Sequence, residues 1–181
     1  MKILFISDIH GSTKNLDKIE NIIKKENFDK IVVLGDLYYQ GPTNNDYEFI
    51  SSITVKDFLT KYKEKLIALK GNCDSDVDIK SSDFPICQDL ALISTDNIDI
   101  YLTHGNKYNI NKNKKFIGKN GALIYGHEHI PYIKKENGMT YVCVGSISFP
   151  KQNNNATYAI YENKEITIFS IEGEVVEKVK I

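Results

Sequence analysis

Lys2-Ile3-Leu4-Phe5-Ile6-Ser7-Asp8-Ile9-His10-Gly11 is the stretch on which the reading of the whole chain turns. Its first half is apolar with β-branched members, the composition of a buried strand. Asp8 and His10 follow where that strand gives way to a loop. In open α/β sheets ligands bind outside the carboxyl ends of the strands, so a carboxylate and an imidazole two residues apart sit where chemistry is done. The same pattern, an apolar run and then a turn carrying Asp, Asn or His, recurs at Gly35-Asp36, Gly71-Asn72, Thr103-His104-Gly105 and Gly126-His127-Glu128-His129. All 4 histidines of the chain belong to this set.

The segments between these turns have readable periods. Residues 12–24 place Leu16, Ile19, Ile22 and Ile23 on one face, an amphipathic helix that Ser12 or Thr13 could cap. Lys30 to Leu34 is a second strand. Tyr38 to Asn45 is a loop by its Gly41-Pro42 and Asn44-Asn45 pairs. Val55, Phe58, Leu59 and Tyr62 give a second helix, and Leu66 to Leu69 a third strand. Strands alternating with helices predict a parallel sheet. After about residue 84 the pattern changes to strand upon strand: Leu90–Ser94, Ile98–Thr103, Leu123–Tyr125, Tyr132–Lys135, Thr140–Val144, Tyr158–Tyr161, Glu165–Ser170 and Val175–Lys180, with turn chemistry at Asp96-Asn97, Asn137-Gly138 and Asn163-Lys164. That half predicts an antiparallel or mixed sheet. One parallel half and one hairpin-rich half imply two packed sheets with helices outside, in a single α/β domain spanning 1–181.

Composition narrows the function. With 41% apolar and 26% charged residues the chain is an ordinary soluble globular protein. A net charge of -1 gives no pull toward nucleic acid or anionic membrane. All 23 basic residues are lysine. With no guanidinium to clamp a phosphate, anion binding falls to metal ions, lysines or backbone N–H groups. Cys73, Cys87 and Cys143 follow no paired spacing, so no disulfide framework is expected. No leader and no membrane-spanning run are visible, which points to the cytoplasm. The polar run Asn109 to Lys119 is either a solvated loop or short helix, or a lysine fringe that draws anionic substrate inward.

Asp8, His10, Asp36, Asn72, His104, His127 and His129 form a mixed oxygen and nitrogen donor set, suited to Mn²⁺, Fe or Zn. Seven donors exceed what one tetrahedral ion needs, but two ions sharing a carboxylate would use them all.

In these turns the chain resembles the calcineurin-like metallophosphoesterases, and most of all a bacterial phosphodiesterase branch of that family. The resemblance rests on Ser7-Asp8-Ile9-His10-Gly11, Gly35-Asp36, Gly71-Asn72-Cys73-Asp74-Ser75, Leu102-Thr103-His104-Gly105 and Tyr125-Gly126-His127-x-His129-x-Pro131, in that order along the chain. It implies a four-layer α/β/β/α sandwich of two mixed sheets. One metal would be held by Asp8, His10, Asp36 and His129, the other by Asp36, Asn72, His104 and His127. The metals would be Mn²⁺ first, with Fe, Zn or Ni as alternatives. Two ions about 3.5–4 Å apart activate a bridging hydroxide for in-line attack on phosphorus, which makes the expected activity hydrolysis of a small phosphodiester.

The chain departs from the wider family in two places. Cys73 stands where most members carry a histidine thought to protonate the leaving group, so Cys73 is either a weak donor or a small residue without a role. Val144-Gly145-Ser146 lacks the usual leading Asn, which leaves that segment as a turn. The rival expectations are a non-catalytic scaffold of the same fold for protein interaction, and a phosphomonoesterase or nuclease. Few basic and aromatic residues interleave near the motifs, which argues against nucleic acid. A homo-oligomer is compatible with the sequence.

Overall fold

The computed structural model describes residues 1–41, 47–87, 89–95, 97–112, 118 and 120–181. The elements are β1 (Ile3–Ile6), α1 (Leu16–Lys25), β2 (Lys30–Val33), a 3₁₀ turn (Tyr47–Phe49), α2 (Ser52–Thr60), β3 (Leu66–Leu69), α3 (Asp76–Ser81), β4 (Ile86–Cys87), β5 (Ala91–Thr95), β6 (Ile98–Leu102), β7 (Gly121–Tyr125), β8 (Pro131–Glu136), β9 (Met139–Val144), β10 (Thr157–Glu162), β11 (Glu165–Ser170) and β12 (Val175–Lys180). The loop expected at Tyr38–Asn45 and the polar run Asn109–Lys119 fall partly outside the described residues.

The strands form two mixed sheets, ordered β12-β11-β10-β1-β2-β3-β4 and β5-β6-β7-β9-β8. β1 to β4 run parallel, and so do β6, β7 and β9. The chain does not divide into one sheet per half, as its change of pattern suggested. β10, β11 and β12 return to the first sheet, where β10 pairs antiparallel with β1. The physical reason is burial: every residue of β1 is buried, so its second edge needs backbone partners that water cannot supply.

Alternation along β1 sorts the core into two layers. Leu4 and Ile6 pack with Leu16 and Ile19 of α1 and Val55, Phe58 and Leu59 of α2. Ile3 and Phe5 point the other way, into the space between the sheets, against Ile100, Ile124 and Val142 of the second sheet. The outer face of the second sheet, with Leu123, Tyr125, Tyr141 and Cys143, packs against Ile110.

Helix ends differ from expectation. α1 begins at Leu16 with Asn15 as its N-cap, and no side chain caps it. Ser12 and Thr13 are engaged elsewhere: Ser12 forms a bridge with Ile50, and the Thr13 hydroxyl donates to Phe49 O at 3.0 Å. α3 carries a capping box between Ser75 and Asp78. The two-residue turns are as expected: Asn137-Gly138 and Asn163-Lys164 all have positive φ, the backbone that tight hairpins require. No helix among the described residues is long and apolar enough to cross a membrane.

Phe5 is fully buried between the sheets, so truncation there opens a cavity both sheets must share. Phe5→Ala should cost about 3–5 kcal/mol in a urea denaturation measurement. Val176→Ala, on the half-exposed edge strand β12, should stay within about 0.5 kcal/mol of the parent protein.

Candidate metal centre

Parallel pairing of β1 with β2 does not stop where the strands do. Asp8 N donates to Gly35 O (3.1 Å), His10 N to Asp36 O (2.9 Å) and Gly11 N to Leu37 O (2.9 Å). The two ligand-bearing turns are therefore stitched together by backbone. Next to them lies the turn after β3, where Gly71 comes so close that a Cβ would fall on Asp36 Oδ1. Gly126, after β7, is as constrained: a Cβ there would fall on Ser7 Oγ and Asp8 Oδ2. Only glycine lets these turns approach one another.

Five of the seven expected ligand residues have left-handed backbone: Asp8 (φ 55°), His10 (51°), Asp36 (55°), His127 (64°) and His129 (61°). Non-glycine residues in this region carry a steric cost, and such costs gather at functional sites.

All seven expected ligands converge. Asp8 Oδ1 lies 3.2 Å from His129 Nε2 and 3.7 Å from His10 Nε2. Asp36 Oδ2 lies 3.6 Å from His10 Nε2 and 3.3 Å from His104 Nε2. Asn72 Oδ1 is 3.0 Å from His104 Nε2. His127 stands edge-on to His104 at 5.0 Å between ring centres, and its backbone N–H donates to Asp8 Oδ2 at 2.9 Å. The donor atoms fall into overlapping groups, Asp8 with His10 and His129, and Asp36 with His104 and His127; a further group joins His10, Asp36 and Cys73.

Proton bookkeeping shows that these donors fit a metal. His10 Nδ1 faces Tyr39 O at 2.6 Å, His129 Nδ1 faces Phe149 O at 2.6 Å and His104 Nδ1 faces Leu34 O at 2.8 Å. A carbonyl oxygen only accepts, so each Nδ1 carries the hydrogen and each neutral ring turns a bare Nε2 lone pair inward. His10 Nε2 and His129 Nε2 then face one another at 3.3 Å. Asp8 Oδ1, fully enclosed, has no hydrogen-bond partner. Such atoms repel unless a cation lies between them. Donors bound at about 2.1 Å to one octahedral ion lie about 3 Å apart, close to the spacings seen here.

Without metal the charges compensate through protons. Burial opposes ionisation of Asp8, yet His129 and His104 hold its carboxyl below the usual carboxylate range. Asp36 is likewise held low against burial, chiefly by His104. Burial disfavours the His104 cation, but Asp36 and Asp8 raise it to about 9. His127 is pushed down by burial and by the neighbouring His104. Burial, then the Asp36 charge, drives the Cys73 thiol up to about 12.

Two residues escaped the sequence reading as site builders. Asp74 is buried and accepts three backbone hydrogens: Asp36 N (2.8 Å), Leu37 N (2.7 Å) and Gly71 N (2.7 Å). It locks the Asp36 turn to the Gly71-Asn72 turn. Ser146 donates to Asp8 O at 2.8 Å and accepts from Phe149 N at 2.8 Å. The segment read as a mere turn thus ties Asp8 to the loop whose carbonyl orients His129. Asp74 stood inside a quoted motif, but no spacing rule marks a carboxylate that binds only backbone.

The centre opens into a cleft of about 440 Å³, lined by His10, Asp36, Asn72, Cys73, His127 and His129 together with Gln40 and the Phe149–Lys151 segment. A larger hollow of about 580 Å³ lies among Asn97, Asp99, Lys135 and Lys180. It gathers no imidazole, so the chemistry belongs to the smaller one.

Groups of carboxylates and imidazoles gathered at the strand ends of a double mixed sheet are the makings of a phosphoesterase, and comparison with known proteins agrees. The family model described as the calcineurin-like phosphoesterase superfamily domain matches residues 1–165, and the chain belongs to that family. Phosphodiesterase YfcE of Escherichia coli strain K12 is 30% identical over 174 residues, covering 96% of this chain and 94% of YfcE. The solved structure of the E. coli protein superposes with a TM-score of 0.94 over 100% of both chains. Phosphodiesterase MJ0936 of Methanocaldococcus jannaschii is 26% identical over 71% of this chain and 74% of its own. Vps29 of Entamoeba histolytica shares the fold, with a TM-score of 0.66 at 18% identity over 100% of this chain and 99% of its own.

Asp74→Asn should expose how much the centre depends on its backbone lock. An amide has one accepting oxygen, so its NH₂ must face a backbone N–H. The variant should lose about 1–3 kcal/mol in denaturant unfolding and bind Mn²⁺ about 10- to 100-fold more weakly. Wild-type metal affinity in the variant would remove Asp74 from the centre.

Proposed function

We propose that this chain is a metal-dependent phosphodiesterase that holds two divalent ions and hydrolyses a small phosphodiester. The observation that carries this reading is Asp36 Oδ2, placed 3.6 Å from His10 Nε2 and 3.3 Å from His104 Nε2. One carboxylate oxygen between two donor groups is what a pair of ions needs as a shared ligand. Asp8, His10, Asp36 and His129 would hold one ion; Asp36, Asn72, His104 and His127 would hold the other. When bound, such a pair supplies an acidified water and positive charge against the phosphoryl group. The oxygen and nitrogen donors favour Mn²⁺, with Fe, Zn or Ni as alternatives.

The chain's own residues supply the rest. The carbonyls of Tyr39, Leu34 and Phe149 fix three rings so that Nε2 is the ligating atom. Asn72, exposed on the cleft, has an amide that accepts through oxygen and donates through NH₂, so it can engage metal and a phosphoryl oxygen together. A cysteine thiol is a weaker acid than the imidazolium most relatives place here, so the leaving oxygen would depart with little help from Cys73. Activated esters with acidic leaving groups should therefore be the better substrates. Three free cysteines fit a reducing, cytoplasmic setting. The scaffold alternative would tolerate eroded ligand positions; here all seven are filled and converge. The direct test is hydrolysis of bis-p-nitrophenyl phosphate against p-nitrophenyl phosphate, with and without Mn²⁺; the diester with Mn²⁺ should be turned over fastest.

Removing the shared charge separates a dinuclear centre from a mononuclear one. Metal analysis after Mn²⁺ loading should approach two equivalents per chain in the parent protein and fall below that in Asp36→Asn. Diester turnover in the variant should fall by about 100-fold or more. Saturation of the parent at one equivalent would sink the dinuclear assignment.

Position 73 tests the chemistry of departure. General acid assistance is worth about 10²–10⁴-fold, and its absence appears as a steep dependence of rate on leaving-group pKa. Cys73→His should speed esters with poor leaving groups more than nitrophenyl diesters, and Cys73→Ala should leave nitrophenyl diesters nearly unchanged. A collapse of nitrophenyl turnover in Cys73→Ala, with metal content intact, would show that the thiol itself takes part.

A further inference from the structure

Beyond the ligand shell, the cleft wall holds a built feature that the ligand set does not explain. After Ser148 the chain runs Phe149-Pro150-Lys151 along the cleft and then reverses in a tight turn. Gln152 (φ 55°) and Asn153 (φ 60°) are both left-handed there. Two consecutive non-glycine residues in that region carry a steric cost that surroundings must offset. The offset is visible at Lys151. Its N–H donates to His129 O at 3.0 Å, and its carbonyl accepts from both Asn154 N (3.2 Å) and Asn154 Nδ2 (2.8 Å). The backbone of Lys151 is thus pinned to a metal-ligand residue on one side and to a strained turn on the other.

Lys2, Lys18, Lys56, Lys61, Lys70 and Lys107 each pair with a carboxylate. Among the described residues Lys151 pairs with none. It is also the one lysine among the described residues that line the cleft. The chain has no arginine to take that part. An unpaired ammonium on a pinned backbone, beside donors that would gather a phosphoryl group, is a site for anionic oxygen.

We propose that Lys151 is a substrate-binding residue that holds an anionic oxygen of the phosphoester in the cleft. The inference rests on the phosphodiesterase reading for its substrate class. The oxygen belongs either to the reacting phosphoryl group or to a second acidic group on the same substrate, since the cleft is large enough for a small-molecule ligand and not phosphate alone.

The test uses full-length Mn²⁺-loaded protein, Lys151→Gln and Lys151→Arg. Calorimetric titrations with inorganic phosphate and with pyrophosphate are run beside bis-p-nitrophenyl phosphate kinetics. Both substitutions keep the backbone hydrogen bonds, so thermal stability and metal content should not change. Lys151→Gln should weaken anion binding about tenfold or more, the worth of one hydrogen bond to a charged group, and Lys151→Arg should restore most of it. If phosphate and pyrophosphate weaken together and KM for the diester rises more than kcat falls, Lys151 holds the reacting phosphoryl group. If pyrophosphate alone weakens, it holds a second acidic group. Anion binding unchanged in Lys151→Gln would overturn the inference, even if diester hydrolysis is confirmed. A parent protein that hydrolyses no diester but binds pyrophosphate in a Lys151-dependent way would overturn the activity and uphold the anion site.

Discussion

Three imidazoles whose Nδ1 atoms are tied to backbone carbonyls have no freedom to turn away from one another. That constraint governs the centre. His10, His104 and His129 must turn Nε2 inward, where Asp8 and Asp36 already present oxygen. Only a proton, as on His104, or a bound cation can relieve this crowding, because the acceptors at Nδ1 are main chain and cannot exchange roles. The fold has to supply rigid carbonyls at Leu34, Tyr39 and Phe149. It does so by holding each in a segment with its own backbone bonds or buried neighbours, one continuing β2, one in the loop beyond Asp36 and one after Ser146.

The stitching of the β1 and β2 turns shows how sheet pairing becomes site geometry. Parallel strands normally part company at their ends; here the ladder runs on through Asp8, His10 and Gly11. The cost is left-handed backbone at five ligand residues. Asp74 and Ser146 offset that cost by accepting and donating where the bent chain leaves polar groups unpaired. These two side chains explain why strained turns on three separate strands meet in register. The same close approach explains why glycine occupies 71 and 126, where a Cβ would collide with Asp36 and with Ser7 and Asp8.

How much of this was legible in the sequence follows from which forces act locally. The apolar runs of β1, β2 and β3 announce themselves, and a ligand placed after each one marks the strand end. All eight residues singled out for chemistry, Cys73 included, come together at that end of the sheets. Sheet membership was not legible for β10 to β12, because hairpin chemistry at Asn163-Lys164 fixes which strands are neighbours but not which sheet they join. That choice depends on the bare edge of β1, a demand felt only in three dimensions. The cap of α1 failed for a related reason: Ser12 and Thr13 have suitable side chains, but Ile50 and Phe49 claim them. Asp74 and Ser146 bind main chain, which has no letter in the sequence. β4, two residues long, is below the length at which any period can be seen.

The remaining question is how a chain without arginine tolerates so much negative charge in one enclosed place. Asp8, Asp36 and Asp74 are all buried around the centre. Asp74 spreads its charge over three backbone N–H groups and needs no cation. Asp8 leans on His129 and His104, and Asp36 chiefly on His104, whose imidazolium the two carboxylates support up to about 9. A proton on His104 Nε2 stands where the proposed centre would take its metal, so metal binding there would exchange a proton for a divalent ion. The exchange adds positive charge to the two carboxylates that most need it. It also frees the lone pair that Leu34 O has already aimed. Strain, buried carboxylates and locked imidazoles thus occur together at one end of the sheets, where each carboxylate and each inward Nε2 calls for positive charge.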